Sequence, residues 1–255
     1  MKQNSGQFWI GTSNVVIPGN KSTFPELFRS KSRLHYYSSL FNSVEINKSF
    51  YKTPLVKTYE RWAADVSGNF KFSLKLTKEV THTKELKGEL KIIDKFMASA
   101  TGIGNKAGCI LIQFPGKITS DYFKHVEIIL KTLRSYSDER WRLAVEFRNP
   151  AWYIGETWEM LDRYSAVMVN HDIPKAKIMA FKGRADFIYI RFHGPKGTYR
   201  ESYTADFLQR IALMVNDCRK KGKDVFAYFN NTIGNAFQNA LTLKLMVMEL
   251  WMEAG

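Results

Sequence analysis

Eight short apolar runs, each followed by polar residues and then by a longer amphipathic segment, set the tightest limit on what this chain can become. The runs lie at 8–11, 43–46, 70–76, 108–114, 142–147, 166–170, 187–192 and 225–229, and their β-branched and aromatic residues mark them as strands. Between them helical patterns fall at 26–40, 57–64, 86–101, 121–135, 157–164, 205–221 and 236–250, whereas the sixth connection, 174–185, is too short for a full helix. In the third helical segment Leu90, Ile93, Phe96, Met97 and Ala100 recur at three- and four-residue steps, which puts one apolar face against a sheet. A strand that returns through a helix must lie parallel to its neighbour. Eight such units in 255 residues predict an α/β protein, a single (β/α)8 TIM barrel domain over 1–255 with its sixth crossover helix short or absent.

Composition narrows the function classes. Hydrophobic residues at 45% and aromatics at 14% supply a continuous core and exclude a disordered chain. The first turn, Gly11-Thr12-Ser13-Asn14, lacks the glycine spacing of dinucleotide and P-loop sites. Cys109 and Cys218 stand far apart in apolar stretches with no Cys/His cluster around them. They therefore read as buried thiols in a reducing cytoplasm, without iron-sulfur or structural zinc. Residues 1–6 lead into only a short apolar run and no stretch approaches a membrane span, so a membrane partner is not expected. The 38 basic against 24 acidic residues give +14, a field that draws anions: phosphorylated metabolites or nucleic acid. The densest basic run, Arg219-Lys220-Lys221-Gly222-Lys223, reads as a solvated helix end. Oligomeric state is left open, because no apolar helix stripe exceeds what the core requires.

In a (β/α) barrel the carboxyl ends of the strands converge, and polar residues there point to a site. Glu45 and Asn47 end the second run, Lys75 the third and Gln113 the fourth. Glu146 and Arg148 close the fifth, Asn170 and Asp172 the sixth, Arg191 and His193 the seventh, and Asn230 and Asn231 the eighth. Alternation puts Glu45 with Asn47, Glu146 with Arg148, and Arg191 with His193 on shared faces, while Asn230 and Asn231 point oppositely. Inward charges need partners, so these residues imply mutual ion pairs, a salt-bridged plug or a ligand. Glu146 or Glu45 as base and His193 as proton carrier fit acid/base chemistry. Glu45, His82, Glu146 and His193 also offer metal donors, but Arg148, Arg191 and Lys75 beside them oppose a cation, and no metal is expected. The loops 193–200 and 230–236 carry glycines and polar residues suited to phosphate, with Lys196 and Arg200 adding charge; ordinary turn chemistry, with Asn231 or Thr232 as a cap, fits them equally.

Seven segments together resemble one family. They are WIGTS at 9–13, FNSVEINKSFY at 41–51, KFSLKLTKEVTH at 71–82, LIQFP at 111–115, AVEFRNPAW at 144–152, YIRFHG at 189–194 and YFNNTIGNAFQNA at 228–240. In order and across almost the whole chain, they are similar to the YecE-like family of uncharacterised barrel proteins, domain of unknown function seventy-two. The resemblance implies the barrel and marks Glu45, Asn47, Tyr51, Lys75, His82, Gln113, Glu146, Arg148, Arg191, His193, Asn230 and Asn231 as the site. It implies no reaction and no cofactor. The family's first loop usually begins GTSGW, whereas this chain has Asn14-Val15-Val16-Ile17, so an aromatic wall of the mouth is expected to be missing.

The resulting expectation is an enzyme of unknown reaction that binds a small anionic, phosphorylated or polyhydroxylated ligand, with Glu146 and His193 as catalytic pair. A nucleic-acid-associated protein gripping phosphates with its basic surface is the second reading, and a non-catalytic ligand sensor the third.

Overall fold

The computed structural model describes residues 5–136 and 140–253. Each expected apolar run forms a strand: β1 (Phe8–Thr12), β2 (Ser43–Ile46), β3 (Lys71–Lys75), β4 (Ala107–Phe114), β5 (Arg142–Phe147), β8 (Phe187–Phe192) and β9 (Asp224–Phe229), with the sixth run split into β6 (Ala166–Met168) and β7 (Asn170–His171). All named strand pairs are parallel, as helical crossovers demand. The fold is α/β, and its strands form two parallel sheets, ordered β1-β9-β8-β7 and β2-β3-β4-β5-β6, where one continuous sheet was expected.

Side chains explain the break between β1 and β2. Asn42 Oδ1 accepts from the Ile10 amide at 2.9 Å while its Nδ2 donates to the Phe8 carbonyl at 2.7 Å. Tyr37 Oη takes the Thr12 amide at 2.6 Å and donates to the Ser43 carbonyl at 3.2 Å. Backbone groups that would form a ladder are thus satisfied by inserted polar side chains, and one bridge, Ser13 to Glu45, remains. Gly11 permits the approach, because a Cβ there would lie 2.0 Å from the Ser43 carbonyl oxygen. At the other junction only Val169 separates β6 from β7.

Period-two alternation divides each strand between two environments. Ile110, Ile112, Leu143, Val145, Ile188 and Ile190 face the helices and share a core with Phe96, Val126, Leu130 and Ile211. Cys109, Leu111, Ala144, Val167, Tyr189, Phe226 and Tyr228 form a second cluster drawn from both sheets, whose helix-free faces therefore meet. Tyr228 Oη ties this interior together by bonding the Ser43 and Ser73 hydroxyls. Following this inner face along β8, Phe187 and Tyr189 give way to Arg191 and then His193, so the interior turns from apolar to charged toward the carboxyl ends.

The helices keep close to their expected spans, for example Val56–Ala64, Phe123–Tyr136, Ala205–Lys220 and Ala236–Met252. Two differ. The segment 26–40 is interrupted after Glu26–Arg29 and restarts as Arg33–Leu40, where the Ser32 hydroxyl accepts the His35 amide at 2.8 Å as an N-cap. The third helix begins only at Lys91, after a turn in which Glu85 adopts φ 55°. The sixth connection holds a single 3-10 turn, Pro174–Ala176, and no α-helix. Both cysteines are buried free thiols. Among the described residues no helix is long and apolar enough to cross a membrane. The expectation drawn from residues 1–6 falls largely on 1–4, outside the described residues.

Candidate functional site

At the carboxyl end of β8, Arg191 is buried between carboxylates from two other strands. Its Nε and Nη2 donate to Glu45 of β2 at 2.9 and 2.8 Å, and its Nη1 donates to Glu146 of β5 at 2.6 Å. Glu45 also accepts the Ser13 hydroxyl at 2.6 Å and the Tyr189 hydroxyl at 2.7 Å. The remaining oxygen of Glu146 takes Nε of Arg148. Burial pushes both carboxyls upward, but the Arg191 guanidinium at Glu45, and Arg148 with Arg191 at Glu146, outweigh it; Glu45 ends below the usual carboxylate range and Glu146 well below. The same pairing, working against desolvation, holds Arg191 above its ordinary value. These four side chains are fixed as two anions and two cations.

The network dictates the state of His193. Its Nε2 lies 3.1 Å from Arg148 Nη2 and 3.2 Å from Arg191 Nη1, and guanidinium nitrogens only donate. Nε2 must therefore carry the lone pair, and Nδ1 carries the proton facing Asp172 Oδ1 at 3.2 Å. Asp172 additionally accepts the His193 amide at 2.8 Å and the Tyr203 hydroxyl. Burial, and after it the neighbouring Arg191, push the imidazole down to about 4 in spite of Asp172. His193 is neutral at pH 7 with both ring nitrogens engaged. Neither Glu146 nor His193 has the intermediate affinity that makes a good proton carrier near neutrality.

A second cluster, from β3 and β4, is built differently. Lys75 Nζ donates to Gln113 Oε1 at 2.8 Å and stands 4.1 Å from the centre of the Phe50 ring. Among the described residues no carboxylate approaches it within 4.0 Å. Desolvation, followed by repulsion from Arg191, lowers its pKa to about 8. Gln113 continues to His82 Nε2 at 3.4 Å, and His82 Nδ1 meets the Thr81 hydroxyl at 2.8 Å. His82 is lowered to about 4 by burial and then by Lys75, Lys117 and Arg148. Three cations therefore surround this corner of the carboxyl ends, and Arg148 keeps Nη1 free of hydrogen bonds.

Glu45, Lys75, His82, Gln113, Glu146, Arg148, Arg191 and His193 come together in these two connected clusters. Other expected residues stand apart. Tyr51 is 68% exposed and its ring faces Phe50 and Lys78. The Asn47 amide donates to Asn14 Oδ1 at 3.1 Å, while its own Oδ1 is buried without a partner. Asn231 is buried and donates to the Glu201 carbonyl and Asn239 Oδ1, so it pins the loop; Asn230 makes no side-chain bond. The expected cap of the last helix by Asn231 or Thr232 is not formed, since Asn235 occupies the N-cap without a side-chain bond. Lys196 pairs with Glu201 on the surface.

Tyr189 and Tyr203 were absent from the expected site. Tyr189 precedes Arg191 by two and shares its face, a signal available from alternation alone. Asp172 was visible as a strand end, whereas Tyr203 lies in a loop whose path no pattern reveals. Among the described residues no three His, Cys, Asp or Glu side chains are grouped to hold a metal, and between Glu45 and Glu146 the cation position belongs to Arg191. Larger concavities lie elsewhere. One of about 490 Å³ borders Lys71, Arg142 and Phe187 near the strands' amino ends, and one of about 570 Å³ borders Tyr51, Leu55 and Trp62. Neither is lined by Lys75, Arg148 or Glu146.

Residues 9–253 match the model of a family described as a protein of unknown function, DUF72. A curated relative, the UPF0759 protein YunF of Bacillus subtilis (strain 168), is 25% identical over 247 residues, covering 84% of this chain and 85% of that protein. Two crystal structures of DUF72 family proteins share the fold. That from Thermotoga maritima MSB8 superposes with a TM-score of 0.77 at 23% identity, covering 95% of this chain and 99% of the other. That from Enterococcus faecalis V583 gives 0.75 at 19%, covering 98% and 99%. The departure in the first loop has a local explanation: where the resembling family has glycine, Asn14 sits at φ 61°, a left-handed conformation that asparagine tolerates.

Proposed function

The chain belongs to the DUF72 family of proteins of unknown function, and from that premise we propose that it binds a small anion at the carboxyl ends of its strands. In this reading the two parallel sheets close through the Ser13–Glu45 bridge and Val169 into one eight-stranded barrel domain, whose mouth is the site. One observation carries the reading: among the described residues Lys75 makes no ion pair with a carboxylate, and Glu146 and Glu45, which attract it, are already bonded to the guanidiniums of Arg148 and Arg191, which repel it. A half-buried cation with no carboxylate beside it is incompletely compensated, and a phosphate or carboxylate accepting from Lys75 Nζ and Arg148 Nη1 would supply the missing charge. Glu146 and His193 then act by holding Arg148 and Arg191 in place, and the proton-carrying role passes to Lys75. Free buried thiols and the lack of a spanning helix among the described residues suit a cytoplasmic setting.

The test is thermal unfolding in phosphate, sulfate and glyoxylate, since an anion bound only to the native state raises Tm by mass action. Phosphate should raise Tm in the wild type and much less in Lys75→Met and Arg148→Gln. Proton NMR should show His82 titrating higher once an anion offsets the three cations around it. If no anion shifts Tm, or all three proteins shift equally, the site is not here. Stabilisation by oligonucleotides alone, steeply salt-dependent, would move function to the basic surface.

A further inference from the structure

We propose that the Lys75 amine is a nucleophile that forms an imine with small anionic carbonyl compounds, aldehydes or ketones that carry a carboxylate or phosphate. This rests on the anion-binding reading above and adds a covalent step to it. Arg191, at the end of β8, is paired with the carboxylates of Glu45 and Glu146. Lys75 is held by a neutral amide and an aromatic face instead. Gln113 Oε1 occupies one N–H and the Phe50 ring fixes the nitrogen's position, which leaves donor capacity directed at neither. The ring face favours the ammonium and so works against deprotonation. Burial and the two guanidiniums nevertheless bring the amine to about 8, so that roughly a tenth is free base at pH 7. For an exposed lysine the corresponding fraction is below about one in a thousand. Arg148 Nη1, free of other bonds, would receive the anionic group of the ligand.

The chemistry balances without a cofactor. The Lys75 Nζ lone pair adds to the carbonyl carbon, the C=O π pair moves to oxygen, and the ammonium proton passes through solvent to that oxygen, giving a carbinolamine. Loss of the hydroxyl group as water forms the C=N bond. The net change is amine plus carbonyl to imine plus water. His82, neutral at pH 7, lies across Gln113 and adds no competing positive charge there.

The experiment incubates the protein with glyoxylate and cyanoborohydride, which reduces any imine to a stable secondary amine, and locates adducts by peptide mass mapping. Lys75 should be modified at least about tenfold faster than exposed lysines at pH 7, with a rate that levels off above about pH 8. Lys71, also partly buried but engaged by the Asn105 carbonyl, is an internal comparator. Propanal, which lacks the anionic group, should react with Lys75 much more slowly than glyoxylate, and Arg148→Gln should remove that preference. Uniform modification of all lysines overturns the inference. So does glyoxylate that raises Tm without an adduct at Lys75, in which case anion binding stands alone. Glyoxylate that does neither overturns the inference, and anion binding is then decided by phosphate and sulfate. Equal rates with propanal and glyoxylate overturn the assignment to anionic carbonyl compounds.

Discussion

Two groups of charged side chains sit at the same ends of the strands and are compensated in opposite ways. Around Arg191, each carboxylate meets a guanidinium and each oxygen of Glu45 and Glu146 accepts a bond. Around Lys75, the partners are an amide, a ring and a neutral imidazole. The first group is internally neutral and rigid. The second leaves positive charge directed at a place where no protein anion stands. A buried ion network contributes little net stability over apolar packing, but breaking it leaves an uncompensated charge. An incompletely compensated group is therefore where a ligand's charge has the most to add, and the completed one beside it supplies the frame.

The comparison is broken most directly at Arg191. Arg191→Met leaves Glu45 and Glu146 buried with their main partner gone, and denaturant unfolding should register a loss of about 3–5 kcal/mol. A loss under about 1 kcal/mol would mean the network is no frame. Acid tests the same group through His193. Its folded pKa, about 4, lies below the unfolded value, so the unfolded chain binds the proton first and stability falls as pH drops from about 6.5 to 4. The fall should approach about 3 kcal/mol from this residue. His193→Gln should make that stretch of the curve shallower, with His82 and His171, also lowered, supplying what remains, while Glu45 and Glu146 extend the decline at lower pH.

Lys75→Met sharpens the contrast by its mildness. With no ion pair to break and the cost of holding the ammonium removed, stability at pH 7 should stay level or rise while anion-induced stabilisation is lost. The folded pKa of Lys75 is also depressed, so it should make wild-type stability rise between pH 8 and about 10.5, and that rise should be smaller in Lys75→Met. A large destabilisation at pH 7 would make Lys75 part of the frame. The smallest effect belongs to Tyr51→Ala at the exposed rim, within about 0.5 kcal/mol in stability.

Much of this arrangement was legible beforehand. Strand bounds at β2, β5 and β8 stay close to the expected runs because every residue in them except Arg142 is buried, the few polar ones included. Alternation placed Glu146 with Arg148 and Arg191 with His193, and both pairs share bonds in the structure. The short sixth connection was evident from its length. The interruption of 26–40 was harder to foresee, because Ser32 is a tolerable helix residue until its hydroxyl caps the next segment. Tyr51 was grouped with the site by resemblance, and Asn47, Asn230 and Asn231 by their strand-end positions as well, yet none of the four side chains bonds to Arg191 or Lys75.

What the sequence alone determined is the set of one-dimensional properties: which segments are strands, that they run parallel, and which residues point to one side, because these follow from local periodicity and crossover length. Tertiary structure decided which opposite charges meet. Glu45 and Arg191 are 146 positions apart, and nothing local distinguishes a carboxylate that will receive a guanidinium from one that will not. Pairing depends on distances across the interior, set by strand register and by side chains such as Asn42 and Tyr37 wedged between β1 and β2. For the same reason Lys75 looks like any other charged strand end in the sequence, and only the folded chain leaves it without an anion.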